Sequence, residues 1–183
     1  MVEFIVFCLP ALIYVLVQSR GKQRTLRSAL EKLGASWGSP SSYRLAALLL
    51  VPLLFTGWLA IVLIPGEAIS TQGVSVARIA SVGAAVSVVL RAFGEEVLFR
   101  GLLGGVLVRR FGFAVGNLVQ ATLFIVPHLA LLLVDLRLWP ILPVQFAAGW
   151  MLGWLREKTG TFVPGATVHV VANVAAALRV RVS

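Results

Sequence analysis

The sequence predicts an all-α protein, a polytopic transmembrane helix bundle of about six spans. Hydrophobic residues make up 59% of its 183 residues, and the mean hydropathy of +0.96 lies far above that of soluble proteins. Apolar runs of about 20 residues, the length that a helix needs to cross a bilayer, recur along the chain. The bilayer is therefore the expected solvent of this fold.

The apolar runs fall at 2–18, 45–64, 75–108, 113–133, 139–155 and 162–180. The third run is too long for one straight span, because at about 1.5 Å per residue it reaches about 50 Å against a hydrocarbon core of about 30 Å. It is expected to tilt, protrude or break, and Gly94 is the expected break point. The first run follows Met-Val-Glu without a basic segment, which favours a retained span over a signal peptide.

The chain carries 16 Lys and Arg against 7 Asp and Glu, a net charge of +9. Nucleic acid is not an expected partner, because the basic residues lie between apolar runs and do not form a soluble basic face. Ten of them fall in 19–44, 109–110 and 156–158, so this side is expected to be cytoplasmic. The prediction is a multi-pass protein of a prokaryotic plasma membrane, with both ends on the far side; two passes in the third run would change that parity.

The whole chain, 1–183, is expected to form one transmembrane domain without repeats. In the basic segment 19–44, Leu26, Leu30 and Leu33 recur at helical spacing, which favours a short helix in the membrane interface over a solvated loop. Cys8 is the sole cysteine, so no internal disulfide can form and the redox compartment is not indicated.

Two acidic residues and both histidines lie deep inside predicted spans, where an ionised group costs about 2.5–3.5 kcal/mol and needs a reason. They are Glu95, Glu96, His128 and His169. Counted from the helix ends on the basic side, Glu95, His128, His169 and Asn173 lie at overlapping depths of roughly 10–23 Å. Three helices therefore carry polar groups at a similar depth in the membrane, which predicts an active site in the bundle core.

Helical spacing distinguishes the two glutamates. Glu96 and Arg100 are one turn apart with the acid first, the favourable order for an ion pair, so Glu96 is the structural partner. Glu95 points about 100° away and is the better candidate for a general base. Arg91 lies one turn before Glu95 and could hold it ionised, but we expect Arg91 to face lipid headgroups or water.

Spacing also predicts partners for the histidines. His169 and Asn173 share a helix face, so both can donate hydrogen bonds to a developing oxyanion. Phe124 lies one turn before His128 and is expected to pack against its ring, while Pro127 loosens the helix beside it. A lone histidine would be an ordinary core residue, but four polar groups together favour catalysis.

Three ordered motifs in the second half, 75–180, carry a family resemblance. The segment 95–101, Glu-Glu-Val-Leu-Phe-Arg-Gly, resembles the EExxFRG signature of the CAAX protease and bacteriocin-processing (CPBP, or Abi) family of intramembrane glutamic endopeptidases. Phe124 to His128 resembles the family's FxxxH motif, and His169 to Asn173 its HxxxN motif.

The resemblance implies a role for each matching position. Glu95 would activate water together with His128, and His169 and Asn173 would form the oxyanion hole. Glu96 and Arg100 would brace the site, and no metal or other cofactor would be needed. The substrate would be a membrane-associated protein or peptide, processed at a CAAX-type tail, a leader peptide or a C-terminal anchor. The family's prenyl-protein endopeptidases resemble larger proteins of eight spans, whereas this chain has room for about six. A short chain of this kind is also similar to the myxosortases of this family.

Two other functions remain open at this point. The same site could belong to a zinc peptidase with Glu95, His128 and His169 as ligands, although the spacing does not resemble HExxH. The polar cluster could also tie helices together in a non-enzymatic scaffold, immunity protein or small transporter. Membrane lipids are partners in every case, and the oligomeric state stays open.

Overall fold

In the computed structural model, residues 2–20, 24–70 and 81–179 are described, and these are helical with no strand among them. The elements in chain order are α1 (Val2–Ser19), α2 (Leu26–Leu33), α3 (Pro40–Leu63), α4 (Gly66–Ser70), α5 (Val82–Glu96), a π-helical segment (Val97–Gly104), α6 (Gly105–Ile125), two 3-10 segments (Val126–Leu133 and Leu136–Leu138), α7 (Ile141–Thr159) and α8 (Val163–Arg179).

The chain reverses direction inside α6, at Gly112. Its backbone there has φ 76° and ψ 168°, a conformation that glycine adopts without steric penalty. The two legs pack side by side: the Phe99 and Phe124 rings have centroids 5.0 Å apart, and a Cβ added at Gly116 would lie 2.6 Å from the backbone nitrogen of Val108. Residues 82–133 are therefore a helical hairpin centred on Gly112.

This hairpin corrects one expectation and supports another. The expected break at Gly94 is wrong, because the helix continues through Glu96 and into the π-helical segment. Gly94 instead permits close packing, since a Cβ there would lie 3.2 Å from the ring of Phe4 and 3.3 Å from the Cβ of Phe7 in α1. The reversal at Gly112 falls in the gap expected between the third and fourth apolar runs.

Four of the described helical stretches are long and apolar enough to cross a membrane: Val2–Ser19, Pro40–Leu63, Val82–Leu133 and Leu136–Thr159. Val163–Leu178 is a shorter apolar helix. Because Val82–Leu133 folds back on itself, these stretches supply six apolar legs. The protein is thus a polytopic helix bundle of the predicted class.

Small residues allow the legs of the bundle to approach closely. α6 packs against α7, and α8 packs against both α3 and α5. Gly149 and Gly153 lie one turn apart on α7, and a Cβ on Gly149 would lie 3.2 Å from the Cα of Ala121 on α6. Such small-residue pairs are typical of helix contacts within membranes. Large apolar side chains of α1 and α3, including Ile5 and Leu48, are exposed on the outer surface, where lipid would cover them.

The basic segment contains a short capped helix. Thr25 Oγ1 accepts a hydrogen bond from the Ser28 backbone nitrogen at 3.1 Å, and α2 ends at Gly34 in the left-handed conformation. Leu33 is buried, whereas Leu26 is exposed. One face of α2 therefore packs on the bundle; its placement in the membrane interface stays a prediction.

The three basic segments meet at one end of the bundle. Arg109 Nη1 donates to the Lys32 carbonyl at 2.8 Å, and the Phe162 nitrogen, just after the 156–158 turn, donates to the Gly34 carbonyl at 3.1 Å. The assignment of this end to the cytoplasm stays a prediction.

On the connection before α7, hydrogen bonds from Arg137 hold the pKa of Asp135 below its usual value.

Candidate active site

Glu95, Glu96 and Arg100 lie at the junction of α5 and the π-helical segment, in the middle of the bundle. All three are buried, and the side chains of Glu96 and Arg100 are 0% exposed. Arg100 Nη1 lies 2.8 Å from Glu96 Oε1, so the ion pair expected from their spacing is present. The guanidinium also lies 4.1 Å above the ring centroid of Phe124, and its Nη2 donates to the Ala148 carbonyl at 3.4 Å.

The π-helical segment lies directly after the two glutamates. Its wider turns are rare in proteins and are often found at functional sites. Gly101 lies on this segment, where a Cβ would lie 3.3 Å from the Phe162 ring and 3.4 Å from Leu33. The glycine therefore lets α2 and the start of α8 pack against the backbone that carries Arg100.

His169 connects the two glutamates. Its Nδ1 lies 2.8 Å from Glu96 Oε1, and its Nε2 lies 3.7 Å from Glu95 Oε2. Since a carboxylate accepts hydrogen bonds, Nδ1 carries the proton in the bond to Glu96. Helical spacing paired Glu96 with Arg100 alone; the second partner comes from a distant helix and has no signature in local spacing.

Pro127 and the 3-10 segment orient His128. Pro127 has no N–H, and the N–H of Val126 already bonds to the Leu123 carbonyl, three residues back. The Phe124 carbonyl accepts instead from His128 Nδ1 at 2.9 Å. The neutral ring therefore keeps its lone pair on Nε2, the atom available to accept a proton.

Phe124 contacts both histidines. Its ring centroid lies 5.2 Å from that of His128 and 6.1 Å from that of His169, with the rings edge to face in both pairs. Together with the guanidinium of Arg100, these contacts surround a fully buried aromatic side chain. The expected packing of Phe124 on His128 is observed, and Phe124 also touches the second histidine.

A cavity of about 930 Å³ brings the polar residues together. Glu95, His128, His169 and Asn173 all line it, in a wall that is otherwise mainly apolar. Among the described residues, the Asn173 carboxamide forms no hydrogen bond, so its donors remain available. Glu95 Oε2 lies 3.7 Å from His169 Nε2, and among the described residues no ion pair joins Glu95 to His128, although the two line the same cavity.

Arg91 lines the same cavity, and its Nη1 lies 3.9 Å from Glu3 Oε2 on α1. Its expected orientation toward lipid headgroups or water stays a prediction. Spacing along α5 could not reveal this arrangement, because Glu3 reaches Arg91 from a separate helix.

Gln145 is a polar residue that the sequence reasoning overlooked. It lies on α7, inside the predicted span 139–155, and lines the cavity. Its signal was a carboxamide in an apolar run.

With respect to the zinc alternative, the described part of the chain contains no group of three or more His, Cys, Asp or Glu side chains arranged to hold a metal ion.

The fold and this buried cluster define an integral membrane protein whose helices surround a largely apolar cavity lined by several polar side chains. A family model described as Rce1-like, type II CAAX prenyl endopeptidase, matches residues 77–175, slightly more than half of the chain. The chain belongs to this family and is thus an intramembrane protease of the CAAX type. No curated protein and no solved structure matches it.

Proposed function

We propose that this protein hydrolyses a peptide bond of a membrane-associated protein or peptide, using water activated by Glu95 and His128. The observation that supports it best is the shared cavity, where four polar side chains from three helical segments surround one space. A carboxylate and an imidazole with a free Nε2 are suited to general-base work.

In the proposed reaction, Glu95 and His128 remove a proton from a water molecule that attacks the peptide carbonyl. His169 and Asn173 donate hydrogen bonds to the resulting oxyanion, and the protonated base then passes its proton to the leaving amine. Because His169 Nδ1 is engaged by Glu96 at 2.8 Å, donation from Nε2 requires both ring protons.

No step in this proposal uses a metal or another cofactor. Glu96 and Arg100 hold the orientation of His169, and Phe124 fixes His128 through its carbonyl and its ring. The surroundings are membrane lipids, and nucleic acid has no role.

Two observations support a proposal for the substrate class, the family and the wall of the cavity. The family's description names CAAX prenyl endopeptidases, and the largely apolar cavity suits a substrate segment that enters from the membrane. We propose a CAAX-type carboxyl-terminal tail as the first candidate. Leader peptides and C-terminal membrane anchors, the latter as processed by myxosortase-like proteins, are the other candidates for the same assay.

The test is co-expression of the protein with membrane-anchored precursors of these three classes, with a shortened product as readout. Glu95→Gln and His128→Ala are each expected to lower cleavage about 100- to 10,000-fold, the usual contribution of a general base. Glu31→Gln, an exposed acid on α2, is the matched control and should cleave normally. Full cleavage by Glu95→Gln would refute the proposal, and loss of wild-type activity with a chelator would support zinc.

A further inference from the structure

A second cavity of about 80 Å³ lies between α6 and α7, at the end of the bundle where the basic segments meet. The side chains that matter here are Arg100, Arg109, Asn117, Gln120, Arg156 and Glu157. The two cavities have no lining residue in common among the described residues. This second cavity is therefore a separate feature from the proposed peptidase site.

Several buried polar atoms at this cavity have no hydrogen-bond partner. Gln120 is 0% exposed, yet neither its Oε1 nor its Nε2 is hydrogen-bonded. Arg100 Nε and Arg156 Nε are also buried without a partner. Each such group costs about 1–3 kcal/mol if nothing satisfies it. Because one water needs only about 10–15 Å³, the cavity has room for a ligand larger than one water.

The charge of the lining favours an anion. Arg100 is compensated by Glu96 at 2.8 Å, but Arg109 and Arg156 line the cavity opposite a single carboxylate, that of the exposed Glu157. Three of the four unsatisfied atoms named above, Arg100 Nε, Arg156 Nε and Gln120 Nε2, are donors. A cation would leave these donors unsatisfied, whereas an anion would accept from them.

We propose that this cavity binds one phosphate group, either as free inorganic phosphate or as the phosphodiester of a lipid headgroup. Guanidinium groups and a carboxamide that converge from two helices match an acceptor with several oxygens better than they match a spherical ion. Arg109 is exposed and forms the mouth, where it is held by the Lys32 carbonyl and the Tyr14 hydroxyl. Basic pockets between helices at a membrane surface commonly take lipid phosphates.

Phosphate bound in this cavity would affect the ion pair of Glu96. Arg100 lines the phosphate cavity and its Nε has no hydrogen-bond partner, while its Nη1 lies 2.8 Å from Glu96 Oε1. Glu96 in turn holds His169. A bound phosphate therefore competes with Glu96 for the same guanidinium, and the site is placed to modulate the buried ion pair.

The test measures binding and needs no peptidase activity. The full chain is purified in a neutral detergent without phosphate, and its unfolding temperature is followed against inorganic phosphate, with chloride at equal ionic strength as reference. We expect a saturable rise of about 5 °C at a hundredfold excess over the dissociation constant. Doping the same detergent with phosphatidylglycerol, or with a phosphate-free galactosyl diacylglycerol as reference, separates the sources: a rise with phosphatidylglycerol alone identifies a lipid headgroup, and a rise with free phosphate identifies the ion.

Three variants locate the effect. Gln120→Leu and Arg156→Lys, which keeps the charge but removes Nε, should each weaken phosphate binding at least about tenfold. Arg110→Gln removes a neighbouring charge that does not line the cavity, and it should bind like the wild type. The proposal is overturned if neither phosphate source stabilises the wild type beyond chloride, or if Arg110→Gln weakens binding as much as Arg156→Lys does. The wild-type titration decides the case even where a variant does not fold.

Discussion

Removing one member of the Glu96–Arg100 pair should cost much more stability than removing both. Both side chains are 0% exposed, and their charged atoms lie 2.8 Å apart. At an effective dielectric constant of about 20, this distance corresponds to about 6 kcal/mol of attraction. Taking two ions out of water costs several kcal/mol for each, so the intact pair adds little net stability.

The single variants leave an uncompensated buried charge. Glu96→Gln keeps the shape and can still accept from His169, but it removes the counterion of Arg100. Arg100→Met removes the cation and leaves Glu96 with only the imidazole. Each is expected to lower the free energy of unfolding by about 3–5 kcal/mol. The double variant should lose only about 1 kcal/mol, because the charges disappear together and Met packs in an apolar surrounding.

The assay is reversible unfolding in mixed micelles, applied to the wild type, both single variants and the double variant. The expected interaction energy between the two sites has a magnitude of about 5 kcal/mol or more. Glu31→Gln, an exposed acid on α2 that lines neither cavity, is the control and should stay within about 0.5 kcal/mol of the wild type. If the losses of the two single variants add to within about 0.5 kcal/mol in the double variant, the two residues act independently and the bracing role is wrong.

Three further predictions concern the hairpin, a helix cap and the aromatic contact. Gly116→Ala places a Cβ 2.6 Å from the backbone nitrogen of Val108 and should lower the free energy of unfolding by about 1–3 kcal/mol in the same assay. Gly57→Ala, with open space around the added Cβ, is the control and should be neutral or stabilising by up to about 1 kcal/mol. Equal effects of the two variants would contradict the hairpin contact. Thr25→Ala removes the cap of α2 and should cost about 1 kcal/mol, seen as faster amide exchange in α2; unchanged exchange would show that the cap contributes nothing. Phe124→Leu loses the contacts to both imidazoles and should lower kcat about 100-fold with little change in KM; an unchanged kcat would exclude a positioning role.

The transmembrane class could be predicted from the sequence because it depends on the length and polarity of apolar runs. The same holds for the Glu96–Arg100 pair, which follows from one helical turn. The position of each site residue along its helix could also be estimated, because the rise per residue is nearly constant in helices. These features depend on neighbours along the chain.

Other features depend on which helix lies next to which, and local spacing carries no such information. The bond between His169 and Glu96 joins residues that are 73 positions apart. Gly94 looked like a breaker, since glycine lowers helix propensity, but packing against Phe4 and Phe7 explains it better. Gln120 and Gln145 carried a readable signal, a carboxamide inside an apolar run, and only their contacts revealed which cavity each one lines.

The π-helical segment Val97–Gly104 makes this protein sensitive to changes in chain length. A π-helical turn holds more residues than an α-helical turn, so shortening the segment by one residue would favour ordinary α-helical pairing. Each residue of an α-helix corresponds to about 100° of rotation. A one-codon deletion here would therefore swing the two carboxylates around the axis, away from their partners, while leaving every side chain of the motif present. Aligned relatives should tolerate substitutions in this stretch more readily than gaps.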